Sequence, residues 1–354
     1  MRQFDYTRTP DCLKTDETIG LLLEIRELKG KQELWRHTKP RVLTGLRDFA
    51  IIQSIGASNS IEGIATSRKR LKDIVLEKVS PQNRDEEEIA GYRDVLSLIH
   101  EQHDFTPVSP GVILRLHRDL LAHSHLAYGG RWKDADNEIV AVDGEGNRFV
   151  RFRPTSALMT PVAMEELCAA YNLGRSEGSC DALLLAMRFV FDFVSIHPFN
   201  DGNGRMSRLL TVLLMERDGY DVGRYISIEH EIEKTKSRYY EALESSSVGW
   251  GEGTNDEGPF VRYMLGVVLA AYRELEQRVE AASGVKGASS LTPMQQRILA
   301  VFERRVGKVT KGMVMEECPD MSEITVKRAL GVLLQSGLIK KVGSGRTTGY
   351  VLAE

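Results

Sequence analysis

No run of eighteen consecutive apolar residues occurs in this 354-residue sequence, which excludes a conventional membrane-spanning helix. The opening residues Met1-Arg2-Gln3-Phe4-Asp5 lead into no long apolar stretch, so no secretory leader is expected. Cysteine is scarce. Cys12, Cys168, Cys180 and Cys318 are scattered with no C-x-x-C pair. Reduced thiols in a cytoplasmic setting are therefore expected, rather than a disulfide framework or a zinc site. The net charge is only −3, too little for a protein that coats nucleic acid through bulk charge. No internal repeat of solenoid length is found. What is present, 42% hydrophobic and 27% charged residues, suits a globular protein of two or three domains.

The charge is unevenly spread. Residues 291–354 carry ten Lys and Arg against six Asp and Glu, and the remainder is acidic. A basic tail on an acidic body points to a polyanion-binding appendage. Most of the chain has apolar residues at helical spacing, notably over 15–29, 42–64, 86–100, 109–122 and 156–175. Residues 139–142 and 149–153 instead read as short strands around a loose turn at 143–147, a β-hairpin pattern. Small and polar residues over 281–290 read as a linker.

The segment richest in chemistry is His197-Pro198-Phe199-Asn200-Asp201-Gly202-Asn203-Gly204-Arg205-Met206-Ser207-Arg208. It joins two apolar helices. The first, over 182–194, should stop where Pro198 forces His197 out of helical geometry. The second opens at Gly202-Asn203-Gly204. A helix N-terminus presents unpaired N–H groups and a positive dipole end, and glycines let an anion approach it. Arg205 and Arg208 lie three apart, so both are expected to reach one polyphosphate. Asp201 offers a hard oxygen for Mg²⁺ or Mn²⁺. A neutral His197 can take a proton from an attacking hydroxyl. Singly, each part reads as an ordinary turn, cap or solvated face. Eight chemically meaningful residues within twelve positions describe attack on a nucleotide phosphate instead.

This segment resembles the motif of the Fic family, H-x-F-x-[DE]-G-N-G-R-x-x-R, at every defining position. The resemblance implies a mainly α, helical Fic fold and transfer of AMP from Mg-ATP to a Tyr, Thr or Ser hydroxyl of a target protein. It implies His197 as base, Phe199 as apolar plug and Asp201 as metal ligand. Gly202, Asn203 and Gly204 would form the anion hole, with Arg205 and Arg208 on the β- and γ-phosphates. The hairpin sits where the family has its flap, so Ile139, Val140, Ala141 and Val142 would receive a target segment as an added strand. Gly130-Arg131-Trp132 resembles the family's lead-in to that flap. Tyr239 and Tyr240 resemble the aromatic pair near the adenine pocket, although helix packing is an equal reading. Ser245-Ser246-Ser247 stands where some relatives have an Asn. Upstream, Ser58-Asn59-Ser60-Ile61-Glu62-Gly63 resembles the family's inhibitory motif [ST]-x-x-x-E-[GN]. Ser58 and Glu62 are four apart and share a face, and the implied role of Glu62 is an ion pair with Arg208.

The tail reads as three helices and a hairpin: 291–306, 310–318, a third opening at 321–325 with Ser322 as N-cap, then strands at 338–342 and 349–352. That order resembles a winged helix-turn-helix. Its partner is left open between DNA, through Lys327, Arg328 and Arg346, and a protein surface. The expected division is therefore an N-terminal helical region with the inhibitory helix (1–105), a Fic core (106–281), a linker (282–290) and a winged helix (291–354). A homodimer is also left open. The alternatives are a DNA-binding regulator with a nucleotide-sensing core, and a Fic enzyme that removes AMP or transfers another phosphoryl group.

Overall fold

A computed structural model describes residues 2–124, 128–142, 148–284, 292–305, 307–335, 337–343 and 348–353. The helices are α1 (Asp16–Thr38), α2 (Pro40–Ile61), α3 (Arg68–Val75), α4 (Arg84–Gln102) and α5 (Pro110–Leu120). A hairpin of β1 (Ile139–Val142) and β2 (Arg148–Phe152) follows. Next come α6 (Thr160–Glu177), α7 (Ala182–Ile196), α8 (Asn203–Arg217), α9 (Ile228–Lys234), α10 (Lys236–Ser247) and α11 (Gly258–Gly284). The tail supplies α12 (Pro293–Arg304), α13 (Lys311–Glu317), α14 (Glu323–Gln335), β3 (Ile339–Val342) and β4 (Gly349–Leu352).

The chain divides into two compact units, Met1–Gly30 with Ala50–Tyr272, and Lys31–Phe49 with Arg273–Glu354. The expected break at residue 105 is not a boundary of this division. The helix α4, on its N-terminal side, packs on α5 and α8 and belongs to the first unit. The helix α11 runs to Gly284, past the expected end of the core at 281; residues 285–290 of the expected linker lie outside the described residues.

In the first unit α7 is the central element. Its apolar sequence ALLLAMRFVFDFVSI is buried almost throughout, and it packs against α6 and α8. The Asp181 side chain caps its N-terminus by accepting from the Leu183 and Leu184 amides. The helix α8 is equally buried, so the segment between them emerges from the core with both ends fixed. The hairpin is antiparallel, with Val140 opposite Val150 and an irregularity after Ile139 that leaves Arg151 as an extra residue. Phe152 packs edge-on against Trp250, whose Nε1–H donates to Asp192 Oδ1 on α7. This anchors the strand that leads back to the core. The turn at 143–147 lies outside the described residues.

In the second unit α12, α13, α14, β3 and β4 enclose a core that includes Val301, Phe302, Val326, Leu330 and Leu333. Thr292 and Gln295 form a capping box on α12. The Ser322 hydroxyl accepts from the Thr325 amide, as its N-cap reading required. The helix–helix–helix–hairpin order of the tail is as expected.

Candidate active site

The helix α7 ends at Ile196, and His197 takes φ 51°, ψ 63°, the left-handed region rather than the extended one that the following proline favours. Residues with a β-carbon adopt this conformation rarely, and it persists only where neighbours over-determine it. The His197 ring is oriented by Val194, whose carbonyl lies 3.3 Å from Nδ1. A carbonyl only accepts, so Nδ1 carries the proton and Nε2 keeps its lone pair. Burial, aided by the Lys133 ammonium, lowers the imidazole pKa to about 4 against the opposing pull of Val194 and Glu62. His197 is therefore neutral near pH 7 and able to accept a proton.

Phe199 is fully buried and stacks on His117 (centroids 3.6 Å) and Trp132 (5.3 Å). The Asn203 side chain holds the Phe199 backbone from both sides: Nδ2 donates to the carbonyl at 2.8 Å, and Oδ1 accepts from the amide at 2.9 Å. The Asn203 side chain is thus a clasp for the loop. Only its backbone amide, in the first turn of α8, remains for an anion. Phe199→Ala is expected to destabilise the protein by about 3–5 kcal/mol, because it deletes a fully buried ring and leaves a cavity between His117 and Trp132. A melting temperature equal to wild type would show that the loop is held without it.

Asp201 lies in the loop with its side chain 37% exposed. Its carboxylate accepts from the Gly202 amide at 2.6 Å and faces Arg205 Nη2 at 3.6 Å and Arg84 Nη2 at 3.5 Å. The two motif arginines have different surroundings. Arg205 is 1% exposed and paired with buried Glu88 on α4 at 2.6 Å. Arg208 donates from Nε to Ser58 Oγ (2.8 Å) and from Nη2 to the Ser58 carbonyl (2.9 Å) and Glu62 Oε1 (2.8 Å). Burial is the largest influence on Arg208 and would lower its pKa, but Glu62, Tyr92 and Tyr239 together outweigh it, and the guanidinium sits above its ordinary value.

Glu62 is not inside α2. The helix stops at Ile61, and Glu62 and Gly63 form its closing turn, with Gly63 at φ 81°. Lys236 Nζ caps that end by donating to the Ile61 carbonyl at 2.6 Å. The turn delivers the Glu62 carboxylate onto Gly204, where any β-carbon would run into Oε1 and strike it. One carboxylate therefore sits on Arg208 at the N-terminal turn of α8.

His197, Gly204, Arg208 and Glu62 line one wall of a cavity of ≈190 Å³. Tyr239 and Tyr240 of α10 line another with Leu243 and Ser247, and Ile139, Arg151 and Phe152 of the hairpin close it. Tyr239 is buried, its hydroxyl pKa pushed up to about 12 by desolvation, and meets Tyr240 edge-on at 5.4 Å. Ser246 points inward, accepting from the Phe260 amide. Asp201, Arg205, Phe199, Gly202 and Asn203 do not line the cavity.

A family model described as the Fic/DOC family matches residues 107–215. A Fido domain-containing protein of Dictyostelium discoideum is 35% identical over 112 residues, 29% of this chain and 78% of that protein. The chain belongs to the Fic/DOC family. At lower identity it is similar to protein adenylyltransferase fic-1 of Caenorhabditis elegans, 27% over 210 residues, covering 58% of this chain and 36% of that protein. It is also 27% identical over 273 residues to protein adenylyltransferase Fic of Culex quinquefasciatus, covering 73% and 47%. The chain thus spans less than half the length of these two relatives. A solved Fic family protein from Desulfovibrio desulfuricans G20 shares the fold, with a TM-score of 0.62 over 96% of both chains at 21% identity.

Several residues that build this Fic site carry no motif signal of their own. His117 accepts from the Gly130 amide at Nδ1 and so donates from Nε2 to the Asp201 carbonyl, 3.1 Å away. The Gly130-Arg131-Trp132 lead-in is thus a buttress for the Fic loop. Glu88 and Arg84 of α4 hold Arg205 and Asp201. Arg151 enters the cavity because the hairpin irregularity gives β2 one residue too many. Of the expected flap residues, Val140 is 41% exposed, whereas Ile139 faces the cavity.

Proposed function

We propose that this Fic protein is a protein adenylyltransferase that transfers AMP from Mg-ATP to a Tyr, Thr or Ser hydroxyl, and that Glu62 holds it inactive. The observation that carries the proposal is the Glu62 carboxylate on Arg208 above Gly204, in the space an incoming phosphate requires. A helix N-terminus with a buried arginine selects an anion, and the anion seated there belongs to the chain itself.

In the reaction the target hydroxyl gives its proton to His197 Nε2 while its oxygen attacks the α-phosphate. The bond to the β-phosphate oxygen breaks and pyrophosphate leaves. Arg208, freed from Glu62, pairs with the triphosphate. Arg205, engaged with Glu88, acts through Asp201 in this reading rather than by direct phosphate contact. Asp201 fits a divalent cation: it is one accessible hard carboxylate beside the anion site, and such a cation takes its other ligands from phosphates and water. No cluster of three or more His, Cys, Asp or Glu side chains forms a metal cage among the described residues. A bound Mg²⁺ or Mn²⁺ would neutralise phosphate charge. Tyr239 and Tyr240 flank the adenine, and the free edge of the two-stranded hairpin receives the target segment as a third strand.

Intact-mass measurement after incubation with Mg-ATP tests the activity: an AMP adduct supports it, and a phosphate adduct refutes it. Asp201→Ala is expected to lose the metal-dependent part of nucleotide affinity while His197→Ala keeps it. Titration calorimetry with and without Mg²⁺ that gives one affinity for all these states would reject the assignment of Asp201.

The tail supports a second interaction. Lys327 and Arg328 of α14 and Lys340 and Lys341 of β3 are all exposed, as a winged helix bound to DNA requires, while Arg346 lies outside the described residues. Gel shifts with the full chain are expected to show binding that weakens steeply as salt rises, because neutralised phosphates release counterions. Salt-insensitive or absent binding would assign the tail to a protein contact. No described helix is long and apolar enough to cross a membrane. The four free thiols support a reducing, cytoplasmic setting.

A further inference from the structure

Lys133 is 3% exposed and, among the described residues, hydrogen-bonds to no carboxylate. Its ammonium donates to the Ile196 carbonyl at 3.1 Å and to Asn137 Oδ1 at 2.8 Å. Its backbone amide donates to the Pro198 carbonyl at 2.9 Å. The residues immediately before and after His197 are therefore both tied to this one lysine. Asn137 continues the clamp by donating to the Phe199 carbonyl at 3.5 Å. Between the two tied carbonyls stands the single left-handed residue of the loop that has a β-carbon. Nothing in local sequence preference sustains that backbone; the clamp does.

We infer that Lys133 is a positioning residue that holds His197 in the turn from which it acts as base. The inference rests on the adenylyltransferase reading. A buried ammonium has a second consequence, because a positive charge beside an imidazole disfavours its protonation. Lys133 itself is lowered to about 8 by burial, with Asp136 opposing. The other charged and titratable groups around His197 are Glu62 from the turn after α2, paired with Arg208 of α8, Arg151 of β2, and Tyr239 and Tyr240 of α10. Among these groups Lys133 joins its charge to a grip on the backbone on both sides of His197.

The test combines kinetics with an imidazole NMR titration. Activity is read in a Glu62→Gly parent, where Arg208 is free. Lys133→Met is expected to lower kcat about 10²-fold, the scale of a base misplaced by about 1 Å. ATP affinity should stay within about twofold, because Lys133 lines no part of the cavity. The His197 titration midpoint should rise in Lys133→Met and stay low in Lys133→Arg, which keeps the charge. A parent-like kcat, or a His197 midpoint unmoved by Lys133→Met, overturns the inference. Should Lys133→Met not fold, Asn137→Ala removes one acceptor of the ammonium and is expected to lower kcat several-fold; parent-like kcat in that variant overturns it equally. A Glu62→Gly parent with no transfer refutes the enzyme reading instead. The NMR midpoints then still decide whether Lys133 governs His197.

Discussion

Glu62→Gly is expected to raise AMP transfer about 10- to 10²-fold, self-modification included. A charge-assisted hydrogen bond contributes about 1.5–3 kcal/mol, and about 1.4 kcal/mol is a factor of ten. Glu62 competes with the γ-phosphate for Arg208 from within the same chain, so ATP must displace a ligand held at high effective concentration. Removing the carboxylate leaves the arginine in place, because Ser58 still accepts from Nε and Nη2. The backbone cost is below the roughly 1 kcal/mol of a mid-helix glycine, since Glu62 lies in a turn after α2. Glu62→Ala serves as the control without added flexibility and should also activate. Labelled-ATP incorporation, measured beside thermal melts, checks this. Two folded Glu62 variants that transfer no faster than wild type would end the inhibitory assignment.

His197→Ala, in the Glu62→Gly background, should cut transfer by about 10²–10⁴-fold with ATP affinity nearly unchanged. The residue acts on the incoming hydroxyl, and its proton-accepting nitrogen is the one that Val194 does not occupy. The same geometry sets the pH dependence. An ordinary histidine base loses activity as pH falls through about 6.5. The His197 pKa is lowered to about 4, so its neutral form persists and the acid limb of kcat/KM should lie near there. The sign follows from burial, which penalises the charged imidazole: activity is present above the lowered pKa and is lost as pH falls through it. A limb at the ordinary value would mean that the ring is solvated in the working state.

Much of this site is legible in the sequence, for identifiable reasons. Apolar residues all round 182–194 and 206–217 mark buried helices, and Pro198 with Gly202 and Gly204 marks the break between them. Alternation around 143–147 gives the hairpin, with its second strand shifted by one residue to Arg148–Phe152. What was not legible depends on long-range pairing. Nothing near Arg205 in sequence announces Glu88, so spacing alone set both arginines on one polyphosphate, whereas the fold turns Arg205 toward α4. Lys133 stands in a polar segment and His117 is one polar residue in a helix read from its apolar spacing, so neither announces its burial against the loop. Helix ends also drifted. The helix α1 continues past residue 29 to Thr38 because Lys31, Gln32, Glu33 and Leu34 are good helix formers. The helix α2 stops before Glu62 because Gly63 takes a positive φ there.

The most direct test compares label transfer from ATP marked at the α-phosphate with ATP marked at the γ-phosphate. The proteins are wild type, Glu62→Gly, and Glu62→Gly with His197→Ala, each incubated with Mg²⁺ and a lysate of the source cells. Protein-bound α-label that is weak in wild type, strong in Glu62→Gly and lost in the double variant, with no γ-label in any, is the expected result. Protein-bound γ-label, or equal α-label in all three, would contradict an autoinhibited adenylyltransferase.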